Sequence, residues 1–224
     1  DPRRHDSLFL LRFWLSHESK GGVPAAARAA RGTLRYRHEH RLDAVDMDIR
    51  REWPDRQFDW PVYRTFMKGV AVHSLVHCLP HPDRGIVSFV TLAGIDQSLL
   101  LRSQTAEESR AGNMRFNEWA FQWCDDITRR TGRLTKITRL VDMRGLRFLA
   151  MDRGFIARDG ANSKLIEDFY PQQLMAVYPC FPPSWLQAFW RLVRPLMPTR
   201  FAEKVDFITP KRGSSDAKRL QRAI

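Results

Sequence analysis

His73, His77, Cys78 and His81 bring four metal-ligand side chains into nine positions. On an extended strand, residues four apart share a face but stand about 13 Å from one another, too far to converge on one ion. Asp125 and Asp126 are adjacent carboxylates, the type that does general acid–base work. Neighbours on a helix point about 100° apart, so this pair reads as a solvated helix face. No GxSxG, HExxH, Walker or GxGxxG pattern occurs, and no Ser/His/Asp or Cys/His arrangement is legible. The residues therefore offer no catalytic set, no metal site and no cofactor motif, and the expectation is a protein that binds rather than one that catalyses.

What remains for chemistry is charge. The net charge is +12. Residues 181–224 hold nine basic and three acidic groups, so the last 44 residues carry +6, half the excess. Such a surface asks for an anionic partner, either nucleic acid or an acidic membrane face. The aromatics sit mostly on helical stripes beside aliphatics, without the glycine-flanked strand aromatics of RNA-binding sheets, so nucleic acid is not expected.

These groups must be carried by a folded body. A chain of 224 residues, 43% apolar and 28% charged, suits one medium domain or one domain with an appendage. No run of about 18 apolar residues exists to span a bilayer. Cys78, Cys124 and Cys180 are scattered without a CxxC, which fits buried thiols in a reducing, cytoplasmic setting.

Periodicity places helices first. LFLLRFWL (8–15) is apolar on nearly all sides, SKGG breaks it, and Pro24 opens a second helix at a first-turn position. REWPDRQFDWP (51–61) is an irregular connector, which sets a boundary near residue 60. The period then changes. VAVHSLVHCL (70–79) and IVSFVTL (86–92) flank PHPDRG, a hairpin signature with a loop of about six residues. Phe116, Trp119, Ala120, Trp123 and Ile127 recur at helical spacing over about 106–131, and Thr131-Gly132 stops that helix. LTKITRLVD (134–142) and LMAVY (174–178) read as strands, with a short Asn-capped helix at 162–170 between them. KVDFI (204–208) is a further strand, and SSDAKRLQRAI opens a last, basic helix. Alternation of strand and helix implies an α/β sheet with parallel strands and right-handed crossovers.

The stretch FYPQQLMAVYPCFPPSWLQAFWRLVRPLM (169–197) concentrates seven aromatic rings and five prolines. Within it, Trp185, Ala188, Phe189, Leu192, Val193 and Leu196 form an apolar stripe, and Gln187, Arg191 and Arg194 a polar one. Prolines bound the helix on both sides, and Arg191 and Arg194 can snorkel toward lipid headgroups. Two readings stand at this point: a hinged lid over an apolar cavity, or an amphipathic helix packed on the sheet.

The order of these motifs resembles the CRAL-TRIO lipid-binding domain, the family of phosphatidylinositol/phosphatidylcholine, α-tocopherol and retinaldehyde carriers. LLRFWLSHE with the following AAARAA helix is similar to the family's helical N-terminal unit, here truncated. PDRGIVSFVTLAGID is similar to its first hairpin strand. LVDMRGL (140–146) resembles its strand-end motif. FYPQQLMAVY, then FPPSWLQAFWRLVRPLMPTRFAEKVDFI, resembles its "YP" helix end, strand, gate helix and closing strand. The resemblance implies a helical unit over 1–60 and an α/β lipid-binding lobe over 61–224, a mostly parallel sheet with a gate helix over an apolar cavity.

It also implies a monomeric carrier of one phospholipid or other hydrophobic molecule, cytoplasmic and peripheral at anionic, phosphoinositide-bearing membranes. Trp185, Phe189, Leu192, Val193 and Leu196 would form the gate, with Phe116, Trp119 and Trp123 lining the pocket and Arg191 and Arg194 touching the membrane. Gln172 stands where phosphatidylinositol-binding members carry an acidic residue after "YP". Lys204 keeps the basic residue before the last strand, and Arg200 matches a second basic position, whereas two others fall on Gln173 and Met175. Arg200, Lys204 and Gln172 are thus the expected headgroup contacts. The positions of the phosphocholine-holding hydroxyls fall on Ile137 and Arg139. Asp142 and Gly145 would shape the strand end. Some relatives act instead as interaction or regulatory modules for small GTPases or flanking domains, which leaves a second implied function.

Overall fold

Asp6 starts the first helix. Its carboxylate accepts the N–H of Leu8 at 3.0 Å and of Phe9 at 3.4 Å, two of the donors left open at any helix start. In the computed structural model, which describes residues 5–19, 21–44, 77–81, 85–147, 152–196 and 199–223, this helix is α1 (Ser7–His17). Helix α2 (Gly22–Glu39) follows a left-handed Gly21 and packs against α1. The connector at 51–61 and the boundary near residue 60 lie outside the described residues.

Strands β1 (His77–His81) and β2 (Gly85–Thr91) pair antiparallel, with His81 opposite Gly85. Pro80, His81 and Gly85, which the sequence reading puts in the connecting loop, join the ladder instead. Gly85 has φ +96°, and a Cβ there would collide with the Lys136 carbonyl oxygen. Residues 70–76 and the side chains of His77, Cys78 and His81 lie outside the described part.

Helix α3 (Gln97–Ser103), which no periodicity announced, is capped by Asp96 accepting the Leu99 N–H at 2.8 Å. Helix α4 (Ala106–Thr131) spans the interval that the aromatic spacing marks. A capping box starts it: Thr105 Oγ1 accepts from Glu108 N at 3.1 Å, and Glu108 Oε2 accepts from Thr105 N at 2.8 Å. Gly132, at φ +67°, ends it.

Strand β3 (Ile137–Asp142), helix α5 (Arg153–Phe169) and strand β4 (Leu174–Cys180) complete the lobe's centre. The Asn-capped short helix expected at 162–170 is the second half of α5, which begins ten residues earlier, at the Asp152 cap. Gly154 and Gly160 obscure that first half because glycine is a poor helix former. Asn162 is buried mid-helix and donates to Ser109 Oγ at 3.3 Å.

The sheet order is β1-β2-β3-β4, antiparallel at β1/β2 and parallel thereafter. The segment expected as a strand at 204–208 touches β4 through two parallel bridges, Val177–Val205 and Cys180–Ile208, rather than a continuous ladder. Helices α6 (Ser184–Val193), α7 (Thr199–Ala202) and α8 (Ser215–Ala223) close the order.

Helix α4 is shared between two apolar clusters. Its Met114 and Phe121 pack with Phe9, Phe13 and Ala30 of the N-terminal helices, and with Tyr170. Its Trp119, Ala120 and Cys124 pack on Ile86 and Ile137 of the sheet. Buried ion pairs reinforce the first junction. Arg12 of α1 donates to Asp125 at 3.3 Å, so Asp125 docks α1 rather than facing solvent. Asp126 does lie on the exposed face, paired with Arg130.

Candidate functional site

The strand end near the start of α6 is tightly fixed. Asp142 accepts the backbone N–H of Arg144 at 3.0 Å, and the Arg144 guanidinium closes on the same carboxylate at 2.6 Å. Those hydrogen bonds hold the Asp142 carboxyl below the ordinary carboxylate range. The guanidinium also lies 4.9 Å from the Phe181 ring centroid. Gly145 turns the chain at φ +78°, and Met143 N donates to Cys180 O at 3.0 Å. This turn joins the end of β3 to the end of β4, from which α6 departs.

Pro183, extended at φ −64°, precedes α6, and a 3-10 turn (Arg194–Leu196) ends it. The helix is rooted by Trp190, whose ring meets Phe207 edge-on at 5.8 Å between centroids. Trp190 lies on neither stripe that the sequence marks. Trp185 is half-buried, its ring 6.5 Å from that of Phe189. Ala188, Phe189 and Leu192 of the apolar stripe are exposed, Leu192 at 76%. Arg191 and Arg194 are exposed alongside them. The side chains of Val193, Leu196 and Arg200 lie outside the described part.

Among the expected lining residues, Phe116 and Trp123 are half-buried, with the Trp119 and Trp123 rings stacked at 6.0 Å. Trp119 is only 1% exposed and is enclosed by the sheet-facing cluster, so in this conformation it offers a ligand almost no surface. Its large ring fills the space where α4 crosses β2 and β3, and packing claims it as core.

Gln172 and Lys204 fall within one electrostatic neighbourhood. Gln172, at φ +60° in the turn before β4, accepts from Lys136 Nζ at 2.6 Å through its side-chain oxygen. Its amide nitrogen donates to Ser16 Oγ at 3.4 Å, and its carbonyl accepts from Arg12 Nη1 at 3.5 Å. Lys204 is fixed by its backbone, with its carbonyl accepting from Val177 N at 2.8 Å. Burial pushes the Lys136 ammonium below its ordinary pKa, and repulsion from Lys204 and Arg12 adds to the effect. Arg12 already has its counter-charge in Asp125, while Lys136 and Lys204 stand close enough to repel each other. Sequence reasoning missed Lys136 and Arg12. The available signal was positional: Lys136 immediately precedes β3 just as Lys204 precedes the bridge segment at Val205.

No group of three His, Cys, Asp or Glu side chains able to hold a metal occurs among the described residues. No helix among them is long and apolar enough to cross a membrane.

Comparison with known proteins places this geometry in context. The CRAL/TRIO domain family matches residues 86–222. The crystal structure of Sfh5 is similar over 90% of this chain, with a TM-score of 0.57 and 11% sequence identity. The chain spans 64% of the length of that protein. A search of curated proteins found no match.

Proposed function

The chain belongs to the CRAL/TRIO domain family, whose kind of function is lipid binding and transfer, and from that premise we propose that it holds one lipid beneath α6 and exchanges it at anionic membrane surfaces. The observation that carries this reading is the gate itself. Phe189 and Leu192 stand exposed on a proline-bounded helix, with Arg191 and Arg194 beside them. A helix that carries apolar side chains into solvent next to cations matches the boundary between headgroups and acyl chains.

The energetics require a sheltered route. A diacyl lipid has about 30 methylenes at about 0.8 kcal/mol each, so passage through water costs on the order of 20 kcal/mol. A carrier must replace that environment with an apolar one, and its docking must stay reversible. Basic groups near an anionic leaflet contribute about 1 kcal/mol each before screening, which suits transient contact. In this reading Lys204, near Lys136 and Gln172, meets the anionic headgroup, and Arg200, in the segment after the gate, is a second contact proposed from motif order.

Sedimentation with vesicles containing a phosphoinositide tests the docking, and transfer of a fluorescent lipid between vesicles tests the exchange. Lys204→Glu should weaken vesicle binding while leaving the fold intact. Unchanged binding removes Lys204 from the headgroup site. A protein that takes up no lipid from vesicles overturns the carrier reading.

A further inference from the structure

The outer side of the N-terminal helices carries apolar surface in the open. Helix α1 turns Phe9 and Phe13 inward, and helix α2 turns Ala26 and Ala30 to the same cluster, which Met114 and Phe121 of α4 complete. The opposite sides of α1 and α2 therefore lie together on the outside of one two-helix layer. Leu10 is 53% exposed, Leu11 44% and Trp14 36%. Their spacing puts all three within about 100° of arc, on one face of α1. The only charged residue within α1 besides His17 is Arg12, which is buried. Val23, 64% exposed, stands in the first turn of α2, at the end of the pair where α1 finishes. Large apolar side chains exposed as a group rather than singly mark a contact surface.

The exposed side of α2 says what kind of partner fits. Arg28, Arg31 and Arg35 are all exposed, and steps of three and four residues line them up along the helix. No acidic residue occurs from Gly22 to His38. Buried Arg37 of the same helix pairs with Asp43 and Glu118, whereas no ion pair engages the three exposed arginines among the described residues. The nearest acids in the chain, Glu18 and Glu39, stand at the ends of the two helices. A second copy of the chain would set like charges against one another. A nucleic acid would answer the arginines and leave the leucines in water. An anionic lipid leaflet answers both, with acyl chains for the leucines, headgroups for the arginines and a boundary between them that suits an indole ring. We propose that the outer face of the α1–α2 pair is a second membrane-docking surface, separate from α6, which lays Leu10, Leu11 and Trp14 into an anionic leaflet and holds them there through Arg28, Arg31 and Arg35. It shares with the carrier reading only the membrane: it requires no bound lipid and no movement of α6.

The test is sedimentation with phosphatidylcholine vesicles that contain phosphatidylserine and no phosphoinositide, which separates this surface from the headgroup contact assigned to Lys204. Wild type should bind these vesicles and bind phosphatidylcholine alone far less. Arg28→Gln, Arg31→Gln and Arg35→Gln together should lower the affinity by about tenfold or more and flatten its dependence on salt. Leu10→Ser with Trp14→Ser should lower it by about tenfold or more and leave the salt dependence in place. Leu10→Ser with Leu11→Ser replaces that pair if thermal unfolding shows that Trp14→Ser disturbs the fold. A control that removes the same charge at other exposed positions, Arg102→Gln with Arg115→Gln and Arg133→Gln, should bind nearly as wild type does. Native mass spectrometry of the same proteins should find the same bound lipid in wild type and variants. Vesicle binding that is unchanged in both sets of α1–α2 variants overturns the proposal and leaves this face to an acidic protein. A control that loses as much as the Arg28, Arg31 and Arg35 variant also overturns it, because net charge alone then explains the binding. A wild type that carries and takes up no lipid overturns the carrier reading, while the docking surface stands if binding still falls in the α1–α2 variants.

Discussion

Glu118→Gln should be among the most costly single substitutions in this protein. Glu118 is 0% exposed on α4, and Arg37 is 3% exposed on α2. The guanidinium donates to both carboxylate oxygens, at 2.5 Å and 2.8 Å, and Gln122 Nε2 also donates to Glu118. Two charges removed from water lose their hydration, and mutual attraction restores it only while both are present. Removing the charge of Glu118 leaves Arg37 buried with Asp43, whose side chain is 36% exposed and accepts at 2.6 Å. That remaining partner places the loss near the lower end of the usual range, about 3 kcal/mol. For a chain of this size about 3 kcal/mol lowers Tm by roughly 6–12 °C. Thermal unfolding by circular dichroism, with urea unfolding followed by tryptophan fluorescence, reads the change. The paired variant Arg37→Met with Glu118→Leu should recover most of the loss, because no uncompensated charge remains buried. A loss below about 1 kcal/mol for Glu118→Gln, or a paired variant no better than the single one, would refute the reasoning.

Acid sensitivity should be traceable in part to Asp6, whose carboxyl is drawn down to about 2 by hydrogen bonds from Arg129, aided by the first N–H groups of α1. Its folded pKa lies below its unfolded value, so its contribution is present above about pH 4 and is lost as pH falls toward 2. The group is partly exposed, which limits the effect to about 1 kcal/mol or less, and Asp6→Asn should flatten that part of a urea-midpoint profile between pH 2 and 5. Gly85→Ala should destabilise by more than about 2 kcal/mol, since both its φ and the nearby Lys136 carbonyl oppose a Cβ. Gly132→Ala, at φ +67° with open space around it, should cost only about 1 kcal/mol, and chemical denaturation of the two variants compares them directly. Burial pushes the Cys124 thiol up to about 12 and the Cys180 thiol up to about 11. Iodoacetamide at pH 7.5 should therefore label neither site in the native state and both in urea, with site occupancy read by peptide mass spectrometry.

Much of the frame was legible because its determinants are local. The spacing of Phe116, Trp119 and Trp123 and the stop at Gly132 are properties of consecutive residues, and α4 follows them from Ala106 to Thr131. The β-branched runs of β2 and β3 and the prolines around α6 act within a few positions of themselves. Where local chemistry was ambiguous the outcome turned on neighbours. Asn162 carries the signature of a cap, yet α5 continues through it because the side chain meets Ser109 of α4. The glycines of α5 weaken its own signal, and tertiary packing supplies what propensity does not.

The site divides along the same line. Gln172, Lys204 and the gate stripe could be named from motif order, because order survives in one dimension. Lys136 at the Gln172 side chain and Trp190 as the root of α6 could not be, since each depends on two segments meeting in the fold. Arg37 and Glu118 lie 81 positions apart, and neither type of residue is expected in a core. Residue type and spacing determine which elements form and which of their faces are apolar. Only the packed structure decides which charges lose their water together, because desolvation depends on everything that surrounds a group rather than on what precedes or follows it in the chain.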